Sequence, residues 1–301
     1  MEQTKVVIIG AGAVGKSLGY LLANNGYQVL GFISRSLSSA QEGQELVGEG
    51  IATTEYGDFI LKADLIFITT PDQVISQIAT KLFREGLVKK DSCLVHCSGA
   101  LTSEILFSEV ENMNEIEYGR LSLHPLQSVA DVRKGIEALP NSFFTIEGNE
   151  AGEEIGKKVL DTLDADYTVI QSCAKPLYHA AACVASNYLV TIVDLALKMN
   201  QQVGISSEKA LVGLLPLMEG TLQNIKEMGI VEALTGPISR GDINIIENHL
   251  EALEEFMPEN LDLYKELGTY TTDIARRKGS INQDKVIKLK KLLDQEGIKD
   301  E

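Results

Sequence analysis

The chain has 301 residues, enough for two ordinary domains or one large one, and 44% apolar against 23% charged residues is the composition of a core-forming rather than a disordered chain. Its formal net charge of -16 argues against nucleic acid and anionic lipid as partners, and it leaves recognition of any anionic ligand to backbone dipoles and a few placed cations. Cys93, Cys97, Cys173 and Cys183 form no C-x-x-C pair, so reduced, mostly buried thiols without a zinc site are expected.

The first half alternates strand and helix signals. Val6 to Ile9 is a β-branched run, followed by Val14, Leu18, Leu21 and Leu22 at helical spacing, with Gly26 closing that helix. Strands are expected over 28–33 and 64–69. Pro71 then opens a helix whose apolar stripe is Val74, Ile75, Ile78 and Leu82. Further strands are expected over 93–97, 120–124, 143–147 and 167–171, with a helix over 150–163 between the last two. Such alternation predicts a mainly parallel, doubly wound sheet. Beyond residue 171 strand signals stop. A long helix from about Lys175 to about Asn200 is followed by helical segments over 207–227, 243–256, 260–277 and 283–295. The organisation expected is therefore a dinucleotide-binding domain at 1–171 and an all-helical domain at 172–301. No signal peptide is evident before Val6, and a cytoplasmic location is expected. His179, Ser186, Asn187 and Asp194 interrupt the apolar stretch 177–196, which reads as a buried helix and not a membrane span.

Gly10-Ala11-Gly12-Ala13-Val14-Gly15 is a G-x-G-x-x-G pattern between a β-branched strand and an amphipathic helix, the context in which it cradles a dinucleotide. Gly10 permits the tight turn, Gly12 lets a pyrophosphate approach the backbone, and Gly15 lets helix and strand pack closely. Free N–H groups and the helix dipole would hold the diphosphate. This is the signature of a Rossmann domain. The second strand should end in Asp or Glu if the cofactor were NAD(H). It runs into Ser34-Arg35-Ser36 instead, two hydroxyls and a guanidinium suited to a 2′-phosphate, so NADP(H) is expected over NAD(H). Thr69, Thr70 and Pro71 end a strand where a cofactor ribose should pass, although Thr70 could equally cap the next helix. Ser98 and Gly99 end a strand nearer the nicotinamide, where a glycine would allow close approach. His96 and Cys97 read equally well as core. His124 ends the next strand and either faces the substrate or is structural.

Lys175-Pro176 opens the long helix. A cation there opposes the helix dipole, so the lysine is expected to serve chemistry with its pKa pushed down. At about 100° per residue, His179 lies roughly 40° and Ser186 roughly 20° from Lys175, which predicts a polar stripe on an apolar helix, with Asn187 adjacent. Further on, Gly236-Pro237 marks a turn, Asp242 is a natural N-cap, and Arg240 could clamp an anionic substrate or pair with a surface acid.

With these residues in hand, the chain resembles the superfamily of 6-phosphogluconate dehydrogenase, ketopantoate reductase, β-hydroxyacid dehydrogenases and pyrroline-5-carboxylate reductase. It resembles more closely the Rossmann-like oxidoreductases whose C-terminal half is a domain of unknown function. His96-Cys97-Ser98-Gly99-Ala100, Leu123-His124-Pro125-Leu126-Gln127, Tyr178-His179-Ala180-Ala181 with Ser186-Asn187, and the segment 234–242 carry that likeness. The resemblance implies hydride transfer between NADP(H) and a small keto acid, hydroxy acid or imine in an inter-domain cleft, and a homodimer through the helical domain. In the β-hydroxyacid dehydrogenases a lysine at the start of the long helix, with an asparagine one turn on, polarises the carbonyl. Lys175 matches the lysine, and His179 stands where the asparagine would be. On this reading Lys175 and His179 are catalytic, while His124, Ser186, Asn187 and Arg240 hold the substrate. A dinucleotide-sensing or interaction protein without turnover is the alternative.

Overall fold

The structure, a computed structural model, describes residues 3–110 and 118–294. The chain forms two compact units, Met1–Asn187 and Tyr188–Glu301.

The first unit is built on an eight-stranded sheet: β1 (Lys5–Ile9), β2 (Gln28–Ile33), β3 (Ile51–Thr53), β4 (Leu65–Ile68), β5 (Cys93–His96), β6 (Gly119–Pro125), β7 (Phe144–Gly148) and β8 (Tyr167–Val169). The spatial order is β3-β2-β1-β4-β5-β6-β7-β8. The helices are α1 (Ala13–Asn24), α2 (Leu37–Val47), α3 (Ile75–Arg84), α4 (Val132–Ala138), α5 (Glu150–Thr162) and α6 (Lys175–Ala185). The period-2 pattern of β1 sends Val6 and Ile8 into one core with Leu18, Phe32 and Phe67. Val7 and Ile9 enter a second core with Ile66, Ile75 and Leu82. A strand buried on both faces in this way belongs to a sheet covered by helices on both sides. Because β1 pairs with β2 on one edge and β4 on the other, the sheet reverses its winding beside β1. The crevice past the carboxyl ends of β1 and β4 is where such sheets bind ligands.

One pairing breaks the parallel pattern, and β7 and β8 run opposite to the other strands. β7 runs antiparallel to β6, with Pro125 opposite Phe144 and the Leu126 amide donating to Phe143 O at 2.9 Å. The chain between them leaves and returns at one end of the sheet, so α4 does not cross over it. Instead α4 rests on α1, where Ser17 Oγ donates to Val132 O (3.0 Å) and a Cβ on Gly135 would sit 2.3 Å from Ser17 Oγ.

The second unit holds α7 (Asn187–Gln202) from its second residue, α8 (Ser207–Ala233), α9 (Pro237–Arg240), α10 (Ile243–Phe256), α11 (Leu261–Lys278) and α12 (Gln283–Leu292). Its main core joins Ile246, Leu250, Ala275, Val286 and Leu289. α8 is interrupted at Gly229, whose φ of 77° is left-handed.

Two expectations about the long helix are corrected. It is not continuous: α6 ends at Ala185, and Ser186 (φ -111°, ψ -65°) separates it from α7. Nor is it buried. The segment Ser172–Gln202 is long and apolar enough to cross a membrane by length and composition, and only 6% of its most apolar window is buried within one copy. The main core of the helical unit is drawn from α9 to α12, with Leu195 of α7 in a smaller cluster. Leu177, Val184, Tyr188 and Val190 are exposed. The expected burial of the cysteines holds for Cys93, whereas Cys173 is exposed.

Candidate active site

The glycine pattern forms the loop between β1 and α1. Gly10 has φ +107°, and a Cβ there would lie 2.7 Å from the Thr69 carbonyl carbon, so turn and packing both require glycine. Gly15 is closer still: its Cβ would lie 2.1 Å from Gly10 O. Gly12 differs. It stands at the N-cap of α1 with ordinary extended angles, and a Cβ there would meet nothing within 4 Å. The protein itself does not need glycine at position 12, whereas a ligand lying against the backbone does. No side chain caps α1, so with Ala11, Ala13 and Val14 the loop leaves its amides to an incoming anion. These features fit a dinucleotide diphosphate.

The neighbouring loops divide by role. Thr69 Oγ1 donates to Gly10 O at 2.6 Å, so this hydroxyl braces the glycine loop. Thr70 Oγ1 is buried with no partner, and Pro71, not Thr70, stands at the cap of the following 3-10 turn. That removes capping as the account of Thr70 and leaves an unsatisfied hydroxyl beside the crevice. At the end of β2, Ser34 is half-buried and Arg35 is exposed, with no ion pair among the described residues. Ser36 caps α2 by accepting from the Ser39 amide. No carboxylate occupies 34–36.

A polar cluster gathers at the carboxyl ends of β5 and β6. His96 is wholly buried: its Nδ1 accepts from the Ser98 amide (3.1 Å) and its Nε2 faces Thr102 O (3.2 Å), which fixes a neutral ring with the proton on Nε2. Burial, reinforced by Lys175, lowers its pKa to about 3, so it is structural. His124, half-buried, has Nδ1 2.9 Å from Tyr178 Oη, and burial first, then Lys175 and His179, lower it to about 4. The His124 and His179 ring centres are 6.3 Å apart, nearly perpendicular. Gly99 lies between them: a Cβ there would be 2.7 Å from His124 Nε2 and 2.8 Å from His179 Nδ1. His179 Nδ1 is buried without a partner, while its Nε2 is 3.6 Å from Cys183 Sγ.

Lys175 is 0% exposed. Its Nζ donates to Ser98 O (3.1 Å) and Ser122 Oγ (2.5 Å). Its pKa is lowered to about 8, as expected, but the leading cause is burial and not the helix dipole; Glu147 and Asp72 oppose the shift. Glu147 went unrecognised in the sequence. This buried β7 carboxylate accepts from the Ser103 amide (2.7 Å), Ser103 Oγ (2.9 Å) and Ser172 Oγ (2.8 Å). It thereby ties the turn before α6 to the sheet. A Glu amid Phe-Thr-Ile-Glu-Gly reads as an outward residue on a half-exposed strand, and no local pattern marks it as buried.

The polar stripe shrinks to Lys175 and His179. Ser186 lies at the helix break, exposed, as is Asn187. In the helical unit Arg240 is exposed and its Nε pairs with Asp242 at 2.8 Å. Asp242 does stand at the N-cap of α10, but its side chain makes no capping bond. Among the described residues no cluster could hold a metal ion.

Comparisons with known proteins bear on the fold and the family. Residues 1–125 match the Rossmann-like domain family, and 142–271 match the domain of unknown function DUF2520. Protein TM1727 from Thermotoga maritima is 30% identical over 91% of this chain and 99% of its own, with a TM-score of 0.73. A pyrroline-5-carboxylate reductase from Coxiella burnetii shares the fold at 16% identity, TM-score 0.58, over 92% of this chain and 99% of that one. The glycerol-3-phosphate dehydrogenase [NAD(P)+] of Bacillus velezensis is 29% identical over 122 residues, which are 37% of this chain and 35% of that protein. The chain thus spans about a third of the length of that curated relative. It belongs to the family in which a Rossmann-like domain is followed by the DUF2520 domain.

Proposed function

We propose that this protein is an NADP(H)-dependent reductase acting on the C=O or C=N bond of a small keto acid or imine, or running the reverse reaction on a hydroxy acid. The observation that carries the reading is the pairing of a dinucleotide cradle, open at Gly12, with a histidine-lined wall at Gly99. A bound dinucleotide supplies or accepts the hydride. The chain's own residues do the rest. The α1 amides hold the diphosphate, and Ser34, Arg35 and Ser36 favour a 2′-phosphate. His179 is the proton donor, because its Nδ1 is buried in the cluster without a partner. His124 orients the substrate oxygen or nitrogen through the nitrogen not turned to Tyr178. Lys175, expected to be a donor itself, is enclosed, with its Nζ turned to Ser98 O and Ser122 Oγ. Ser186, Asn187 and Arg240 remain substrate-side residues only if a second surface meets them.

We propose that surface is another copy of the chain. Leu177 is 79%, Val190 69% and Val212 74% exposed, more apolar area than a solvated helix carries. A homodimer packed through these helices would cover it. Lys175, at the start of the same apolar segment, is sealed against the sheet, which disfavours a membrane-spanning role for that segment. The four free thiols suit a reducing, cytoplasmic setting.

The test is a panel of keto acids and cyclic imines, followed by NADPH oxidation at 340 nm. Turnover of one class, lost in His179→Ala, supports the reading. The sealed Lys175 also suits a dinucleotide sensor, and tight NADPH binding with no oxidation across the panel would establish that reading instead.

A further inference from the structure

Enclosing a lysine is costly, and a methionine of similar length would fill the same space without that cost. The charge at position 175 therefore answers a need that packing does not. Its ammonium sits at a junction of four segments. It donates to Ser98 O, beyond β5, and to Ser122 Oγ on β6, while Ser122 Oγ itself donates to Ser98 O at 3.2 Å. Ser98 is held from the other side as well: its Oγ donates to Asp72 Oδ2 (2.8 Å) and accepts from the Ala100 and Leu101 amides. Glu147 fixes Ser172, three residues before the lysine, and Ser103, four residues after Gly99. The ammonium and its two carboxylates thus converge on the short turn that presents Gly99 to the histidines.

We infer that Lys175 is a positioning residue, whose ammonium fastens the Ser98–Gly99 turn to β6 and so sets the contact of Gly99 with the His124 and His179 rings, instead of handing a proton to substrate. The inference deepens the proposed reductase reading, because it takes that turn as the wall beside the reacting carbon. The groups around the ammonium are Asp72, His96, Cys97, His124 and Glu147, with His179 facing His124. Two of them, His96 and His124, feel the ammonium as a like charge and are held neutral partly by it. Removing the charge at constant shape should therefore change two things at once: the anchoring of the turn and the proton affinity of His124.

Neither readout needs a substrate, so a failed substrate search would count against the reductase reading and leave this inference standing. In the full-length protein, imidazole titrations are followed by nitrogen-15 NMR and amide exchange is measured at Ala100 and Leu101. In Lys175→Met, His124 should bind protons about tenfold more tightly and both amides should exchange about tenfold faster, the scale of one charge-assisted bond. In Ser122→Ala the charge stays and one fastening is lost. The amides should exchange faster while the His124 titration holds. Wild-type values for both readouts in Lys175→Met overturn the inference. Should Lys175→Met fail to fold, Ser122→Ala decides alone, and unchanged exchange at Ala100 and Leu101 overturns it.

Discussion

Gly12 separates a glycine kept for a ligand from one kept for the fold. Its φ of -80° and ψ of -172° suit any residue, and a Cβ there would meet no protein atom within 4 Å. Gly12→Ala loses the slight N-cap advantage of glycine and gains from a stiffer unfolded chain, two effects that offset to within about 1 kcal/mol. Stability should stay near wild type. Binding should not, because the methyl group enters the space through which a diphosphate reaches the α1 amides. Loss of one charge-assisted hydrogen bond, worth roughly 1.5–3 kcal/mol, weakens NADPH by about tenfold to about 150-fold. Gly15→Ala is the control, since its Cβ would lie 2.1 Å from Gly10 O and 2.4 Å from Thr69 Oγ1. That overpacking costs about 1–3 kcal/mol in stability. Urea midpoints and calorimetric NADPH titration of both variants test the contrast. Unchanged NADPH affinity in Gly12→Ala, or a stability loss equal to that of Gly15→Ala, would refute the reasoning.

Arg35→Ala should weaken NADPH by about tenfold or more and leave NADH nearly unchanged, measured by calorimetry; equal losses would remove the 2′-phosphate argument. Acid should destabilise the fold through its histidines. His96 and His124 fall to about 3 and about 4 in the folded state from an ordinary 6.5, so the unfolded chain binds more protons below pH 6.5, and stability is lost as pH falls from there towards 4. Between pH 7 and 5 each contributes a loss of about 2 kcal/mol, and His124→Gln should halve the histidine part of that slope in urea titrations. The exposed apolar helices predict a dimer at micromolar concentration. Light scattering that returns a monomer would sink that proposal, whereas Val190→Lys should shift wild-type dimer towards monomer.

The sheet was legible wherever its signal was periodic or β-branched. Val6 to Ile9 and Leu65 to Ile68 carried enough apolar residues to mark doubly buried strands, and the glycine spacing placed a tight loop between β1 and α1. β3 has three residues and α4 seven, too short for a period to emerge. The antiparallel turn of β7 left no trace because a reversal depends on where the chain returns, not on strand composition. At the site, the dipole argument anticipated the lowered pKa of Lys175 but not its cause, since burial is a tertiary property that helix position does not reveal. The break at Ser186 carried no glycine or proline to announce it. Glu147 and Asp72 were invisible for the same cause: their partners lie 25 or more residues away.

The docking of α4 on α1 has a consequence for how the chain can be divided. The Rossmann-like match stops at residue 125, yet α1, the helix that follows the glycine loop, is braced by Val132 and Gly135, more than a hundred residues later. Lys175, later still, is sealed against Ser122 of β6 and Ser98 just beyond β5. A fragment cut where the Rossmann-like match ends would lack β7, β8 and α4, leaving β6 as a bare edge open to pairing with other chains. Excision after residue 125 should give an aggregating product, while a cut near 187 would carry every brace with it. The inherited module and the self-sufficient folding unit have different borders, and grafting this nucleotide-binding half onto another protein must respect the second.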